Sequence, residues 1–229
     1  MNAARSIAAV VFDLDGLLID SESAWDAARR AVVAEAGGRW RESATRAMQG
    51  MSSQEWSRYL HDELGVALEP EEINARVVER LLDSYRQELP LLPGAVDAAR
   101  RLSERWPLGL ASSANRRLID TVLDAAGLSG YFSATVSGDE VARGKPAPDV
   151  YLEAARKLGV DPGEVVAVED SSNGLLSAAA AGMVVVAIPN REFPPAEEAL
   201  SQAALIVDSL EKLTPDAIHG AVDGRPRPA

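Results

Sequence analysis

Apolar and polar positions follow two different rhythms along this chain. From Pro93 onward, short apolar runs alternate with longer stretches whose apolar residues recur at helical spacing. The runs predict strands over Leu108–Ala111, Phe132–Val136, Val165–Val168 and Val184–Ile188, with Leu205–Val207 as one more at the edge. The intervening stretches predict helices over Gly94–Arg105, Arg116–Ala126, Asp149–Leu158 and Leu175–Ala181. The last three each stop at a glycine: Gly127, Gly159 and Gly182. Such alternation implies right-handed crossovers and a parallel sheet with helices on both faces.

Ahead of Pro90 the rhythm changes. An uncharged run from Ile7 to Phe12 reads as a strand buried on both faces, and it ends abruptly on Asp13-Leu14-Asp15-Gly16. Gly16 lets the chain turn sharply there. Leu18 to about Glu88 then shows only amphipathic helices, near Ser23–Ala36, Ser43–Met48, Gln54–Leu64 and Glu71–Glu88. The expected organisation is an α/β core over 1–17 and 89–229, interrupted by an all-helical module over 18–88. There is no internal repeat, and the tail from Gly220 to Ala229 is expected to fray.

Composition narrows the function. With 229 residues, 47% apolar and 25% charged, the chain can bury a sizeable core and is not disordered. It has no cysteine, which excludes disulfides, thiolate catalysis and cysteine metal sites. A net charge of −12 argues against a nucleic-acid surface. No apolar run reaches the roughly 18 to 20 residues of a membrane span, and the opening residues show no targeting pattern, so a cytoplasmic protein is expected. The chain holds 20 arginines but only three lysines, Lys145, Lys157 and Lys212. A lysine in such a chain is a candidate for chemistry.

The candidate chemistry sits at predicted strand ends, where open α/β sheets place ligands. Asp13 and Asp15 repel each other unless a hard cation such as Mg²⁺ lies between them, or they cap a turn. Ser112-Ser113-Ala114-Asn115 opens a helix and offers hydroxyls and free N–H groups to an anion; an ordinary N-cap is the alternative. Gly144-Lys145-Pro146-Ala147-Pro148 holds a lysine in a stiffened loop, suited to a fixed phosphate contact or simply solvated. Val165–Val168 runs into Glu169-Asp170, repeating the opening logic. His61 and His219, the only histidines, are far apart and expected at the surface. Trp25, Trp40, Trp56 and Tyr59 read as module core before substrate platform. Arg46 and Gln49 are either in reach of a substrate or solvated.

Taken in order, these four stretches resemble the motifs of the haloacid dehalogenase-like hydrolases, and the resemblance spans essentially the whole chain. Asp13-Leu14-Asp15-Gly16 matches the first motif, Ser112 the second, Lys145 the third and Glu169-Asp170 the fourth. The resemblance implies a Rossmann-like sheet with the first-motif strand central, and a helical cap of the family's first type. It implies that Asp13 attacks phosphorus, that Asp15 serves as general acid and then base, and that Ser112 and Lys145 hold phosphoryl oxygens. Mg²⁺ is expected on the Asp13 carboxylate, the Asp15 carbonyl and Asp170, with Glu169 at the same metal site either directly or through a bound water. Ser113, Asn115, Trp25 and Gln49 are the expected substrate contacts.

Asp15 selects phosphate esters over carbon–halogen bonds, because an alkoxide needs a proton and a halide does not. Schiff-base chemistry from the cap is closed, since residues 17 to 90 hold no lysine. The histidine and arginine of phosphomutase relatives fall on Trp25 and Ser53. The run Leu17-Leu18-Ile19-Asp20-Ser21-Glu22 followed by Trp25 looks like the sugar- and sugar-alcohol-phosphate phosphatases. The expected activity is therefore Mg²⁺-dependent hydrolysis of a small phosphorylated metabolite, by a monomer or weak homodimer that engages neither nucleic acid nor membrane. A phosphomutase and a non-catalytic phosphoryl acceptor are the alternatives.

Overall fold

The computed structural model describes residues 6–48 and 51–224. Six strands form one sheet: β1 (Ala9–Phe12), β2 (Leu108–Ser112), β3 (Phe132–Ser137), β4 (Val165–Glu169), β5 (Val184–Ala187) and β6 (Leu205–Ile206). Their order is β3-β2-β1-β4-β5-β6, and every neighbouring pair is parallel. This is the Rossmann-like order, whose direction of growth reverses between β1 and β4. Phe12 lies opposite both Leu110 and Val168, so β1, β2 and β4 end level with one another.

The apolar runs are continuous because both faces of the sheet are covered. Val10 and Phe12 point into one core, while Ala9 and Val11 point into the other. The first core includes Leu102 of α5 (Ala95–Ser103) and Leu118 of α6 (Arg116–Ala125). The second includes Tyr151 of α7 (Asp149–Leu158) and Leu175 of α8 (Ser172–Ala180).

Between β1 and α5 lies an all-helical block: α1 (Glu22–Glu35), α2 (Ala44–Ala47), α3 (Ser53–Asp62) and α4 (Pro70–Gln87). A capping box starts α3: the Glu55 carboxylate accepts from the Ser52 N–H at 2.8 Å, and Ser52 Oγ accepts from the Glu55 N–H. The block leaves and re-enters the core through neighbouring segments. Asp20 N–H donates to Pro90 O at 2.7 Å, and Leu92 N–H to Leu18 O at 3.0 Å.

Some boundaries differ from the sequence pattern. β1 begins at Ala9 rather than Ile7. α8 begins three residues earlier than expected, because Ser171 Oγ accepts the Gly174 N–H and caps it there. Two short helices carried no clear periodicity, α9 (Glu197–Leu200) and α10 (Pro215–Val222). Gly220, expected to fray, lies inside α10, which Thr214 caps and which buries Ile218. Among the described residues no helix is long and apolar enough to cross a membrane.

Candidate active site

The ends of β1, β2 and β4 converge at the point where strand order reverses, the crevice that open α/β sheets use for ligands. Asp13 directly follows β1, and its N–H donates to Val168 O at 3.0 Å, which keeps it level with the end of β4. Two glycines make room for the acids. A Cβ on Gly16, which has φ +80°, would lie 2.2 Å from Asp170 Oδ2, and one on Gly174 would lie 1.8 Å from Glu169 Oε1.

Lys145 is the hub of the core site. Its ammonium donates to Asp13 Oδ1 at 2.6 Å, Glu169 Oε1 at 2.6 Å and Ala111 O at 3.0 Å, which uses all three hydrogens. Burial works against the charge, but Asp13 and Glu169 outweigh it and hold the ammonium above its ordinary range. Lys145 therefore positions Asp13.

Glu169 joins the same acid cluster as Asp13 and Asp170. Its oxygens accept from Lys145, from Tyr151 Oη at 2.8 Å, from the N–H groups of Asp170 and Ser171, and from Ser171 Oγ. With five donors on its two oxygens, Glu169 anchors the lysine beside the other acids. Burial, reinforced by the charge of Glu169, pushes the Tyr151 phenol well above its usual range, so it remains a donor.

The fit to a cation was tested on the remaining acids. Carboxylate oxygens of Asp13, Glu169 and Asp170 lie within 4.8 Å of one another. Burial pushes the Asp13 carboxyl up to about 8, with Glu169 and Asp15 adding and Lys145 opposing. Burial also holds Asp170 well above the carboxylate range, with Glu169 and Asp13 adding to it. Asp170 Oδ1 is buried without a hydrogen-bond partner among the described residues. A second positive charge would relieve all of this, and Asp13 and Asp170 are the acids with oxygens left to hold it. The donor set fits a hard divalent cation.

Asp15 is separated from that cluster. Its Oδ1 accepts from Ser21 Oγ at 2.7 Å and Trp25 Nε1 at 2.9 Å, and its Oδ2 accepts from Ser112 Oγ at 3.2 Å. Its side chain is therefore turned to Ser21, Trp25 and Ser112, which leaves the expected contact of its backbone carbonyl untouched. The geometry suits a group held for proton transfer.

Ser112 Oγ also accepts the Ala114 N–H at 2.9 Å. Ser113 and Ala114 line a cleft of about 70 Å³ with Asp15, Glu22, Trp25, Arg29 and Trp56. Trp25 is thus a cleft wall that also orients Asp15. Asn115 turns elsewhere: its Oδ1 accepts the Arg117 N–H to cap α6, and its Nδ2 donates to Asp139. Gln49 lies outside the described residues, and Arg46 is exposed on α2. His61 is half-buried against Leu68 O, while His219 is exposed. A larger cavity of about 490 Å³ lies beside Leu17 and Leu92, but none of Asp13, Asp15, Lys145, Glu169 or Asp170 lines it.

Sequence reasoning missed Ser21, Glu22, Arg29 and Tyr151 as site residues. Ser21 and Glu22 were visible only as part of the run before Trp25. Tyr151 and Arg29 look like ordinary helix positions, with nothing in the local pattern to mark them.

The fold and the acid site define a hydrolase of the phosphoryl-transfer type. The sequence model of the haloacid dehalogenase-like hydrolases matches residues 7–182, and the chain belongs to that family. Hexitol phosphatase B of Escherichia coli (strain K12) is 36% identical over 199 residues, covering 84% of this chain and 88% of that protein. The phosphorylated carbohydrates phosphatase of Thermotoga maritima is 34% identical over 176 residues, covering 76% and 82%. The crystal structure of CbbY from Rhodobacter sphaeroides in complex with phosphate has a TM-score of 0.81 and 28% identity, covering 90% of this chain and 96% of that one.

Proposed function

We propose that the chain is a Mg²⁺-dependent phosphatase that hydrolyses a small phosphorylated metabolite, a sugar or sugar-alcohol phosphate. The observation that carries this reading is the different wiring of two acids only two residues apart. Asp13 belongs to the Lys145 and Asp170 cluster, and Asp15 is held separately by Ser21, Trp25 and Ser112. One carboxylate is set up for attack and the other for proton transfer. That two relatives are named as a hexitol phosphatase and a phosphorylated carbohydrates phosphatase supports the substrate class.

In the proposed reaction an Asp13 oxygen bonds to phosphorus as the bond to the substrate oxygen breaks. Asp15 gives that departing oxygen a proton. Water then attacks the aspartyl-phosphate, returning a proton to Asp15 and releasing inorganic phosphate. Lys145 keeps Asp13 aligned throughout, and Ser112 and backbone N–H groups at the start of α6 take phosphoryl oxygens. When bound by Asp13 and Asp170, Mg²⁺ supplies positive charge that offsets the crowded acids and the phosphoryl group. Against a phosphomutase, the position expected for a histidine carries Trp25, whose N–H is committed to Asp15.

Thermal melts with Mg²⁺, with a fluoride mimic of the phosphoryl group, with both and with neither test the shared site. Mg²⁺ should raise the melting temperature by mass action, and the mimic should add to it only with Mg²⁺ present. Mimic binding that ignores Mg²⁺ would contradict the proposal.

A further inference from the structure

Trp25 and Arg29 stand one turn apart on α1 and share a face. The Arg29 guanidinium carbon sits 4.7 Å from the Trp25 ring centroid and 5.1 Å from that of Trp56, and the two rings meet edge to face at 5.9 Å. Arg29 is only 8% exposed, yet it makes no ion pair or hydrogen bond among the described residues, and its Nε is buried without a partner. Acids are not scarce: the next residue, Arg30, pairs with Asp26 on the same helix. A guanidinium carries five donors and no acceptor, and burying it unpaired is costly. The aromatic faces return only a part of that cost. Such a group is kept where a ligand completes it.

Arg29 lines the cleft that also holds Asp15, Glu22 and Ser113. Tyr85 Oη, buried beside Ser21, lies within electrostatic reach of Asp15, Arg29 and Glu22. The cleft therefore sets unused donors on Arg29 near an acceptor on Glu22. Two carboxylates, Asp15 and Glu22, face this one cation. A second phosphate or a carboxylate on the substrate would meet net repulsion, whereas a hydroxyl both donates and accepts and can bridge Glu22 and Arg29. The tryptophan faces suit the C–H edges of a carbon chain.

We propose that Arg29, clamped between Trp25 and Trp56, is a specificity residue that reads the hydroxyls of a polyol phosphate. This rests on the phosphatase reading above and deepens it by naming the residue that selects the substrate.

The test compares wild type, Arg29→Met and Arg29→Lys with Mg²⁺ on three probes. These are glucitol phosphate, hexyl phosphate (the same chain length without hydroxyls) and phosphogluconate, which ends in a carboxylate. Wild type should prefer glucitol phosphate. Arg29→Met should lower its kcat/KM by about 10- to 100-fold, the worth of hydrogen bonds to a charged group. The loss on hexyl phosphate should be smaller, and Arg29→Lys should recover part of the difference. Arg29→Met takes away a cation that Asp15 and Glu22 face, so any fall in its melting temperature should be recovered by Arg29→Lys.

Equal losses on all three probes, or a lower melt that Arg29→Lys fails to rescue, would make Arg29 structural and overturn the proposal. A wild-type preference for phosphogluconate would overturn the polyol assignment. Calorimetric binding of glucitol phosphate to Asp13→Asn, with and without Arg29→Met, separates the two readings. Binding that depends on Arg29 without wild-type turnover sinks the phosphatase reading alone. Turnover with binding indifferent to Arg29 sinks the specificity role alone.

Discussion

Lys145 and Arg29 are both buried cations, but they are wired in opposite ways. Lys145 has a partner for every ammonium hydrogen: Asp13, Glu169 and Ala111 O. Arg29 has none among the described residues and rests between two tryptophans. The core cation is preorganised, so it needs no rearrangement when charge moves during reaction. The cap cation is left incomplete, so a ligand can complete it. On the proposed reading, chemistry is fixed in the sheet and selection falls to the inserted helices.

Substitutions at the core side should have the largest effect. Lys145→Met leaves Asp13 and Glu169 buried without their offsetting charge, a loss of about 3–5 kcal/mol in urea unfolding, with turnover falling below detection. Stability close to wild type would show that the pairing matters little, and the contrast with Arg29 would collapse.

Next in size is Asp15→Asn, which tests the separation of the two opening acids. Alkyl phosphates should lose roughly 10²- to 10⁴-fold in turnover, and p-nitrophenyl phosphate much less, because its phenolate leaves without a proton. Equal losses on both would remove Asp15 from the acid role. The smallest effect is expected from Trp25→Phe, which keeps a ring on the cleft wall but removes the N–H that holds Asp15. A net loss of about 0.5–1.5 kcal/mol in transition-state stabilisation should appear as a few-fold drop in steady-state turnover of alkyl substrates. A drop as large as that of Asp15→Asn would mean the indole does more than orient the acid.

The same comparison explains what the sequence could reveal. Lys145 was legible because the chain uses so few lysines and sets this one in a loop stiffened by the two prolines that follow it. The strands were legible because a sheet covered on both faces leaves uninterrupted apolar runs, and Asp13, Ser112 and Asp170 follow directly from where those runs stop. Arg29 is one of 20 arginines on a helix rich in charge, and only tertiary packing distinguishes it from Arg30 beside it. Glu169 was placed at the right edge, but a sequence pattern shows a carboxylate and not the five donors that meet it here. Asn115 was misread for a related reason: the same residue type serves as an anion contact or as a helix cap, and here it caps α6.

The central claim is that Asp13 is the nucleophile of a Mg²⁺-dependent phosphatase. Its most direct test is phosphate release from p-nitrophenyl phosphate with Mg²⁺ by wild type and by Asp13→Asn, with both proteins shown to be folded by circular dichroism. The account predicts turnover by wild type and none by the variant, because the amide cannot attack phosphorus. Asp13→Asn retaining more than a few per cent of the wild-type rate, about 2 kcal/mol of barrier or less, would contradict it.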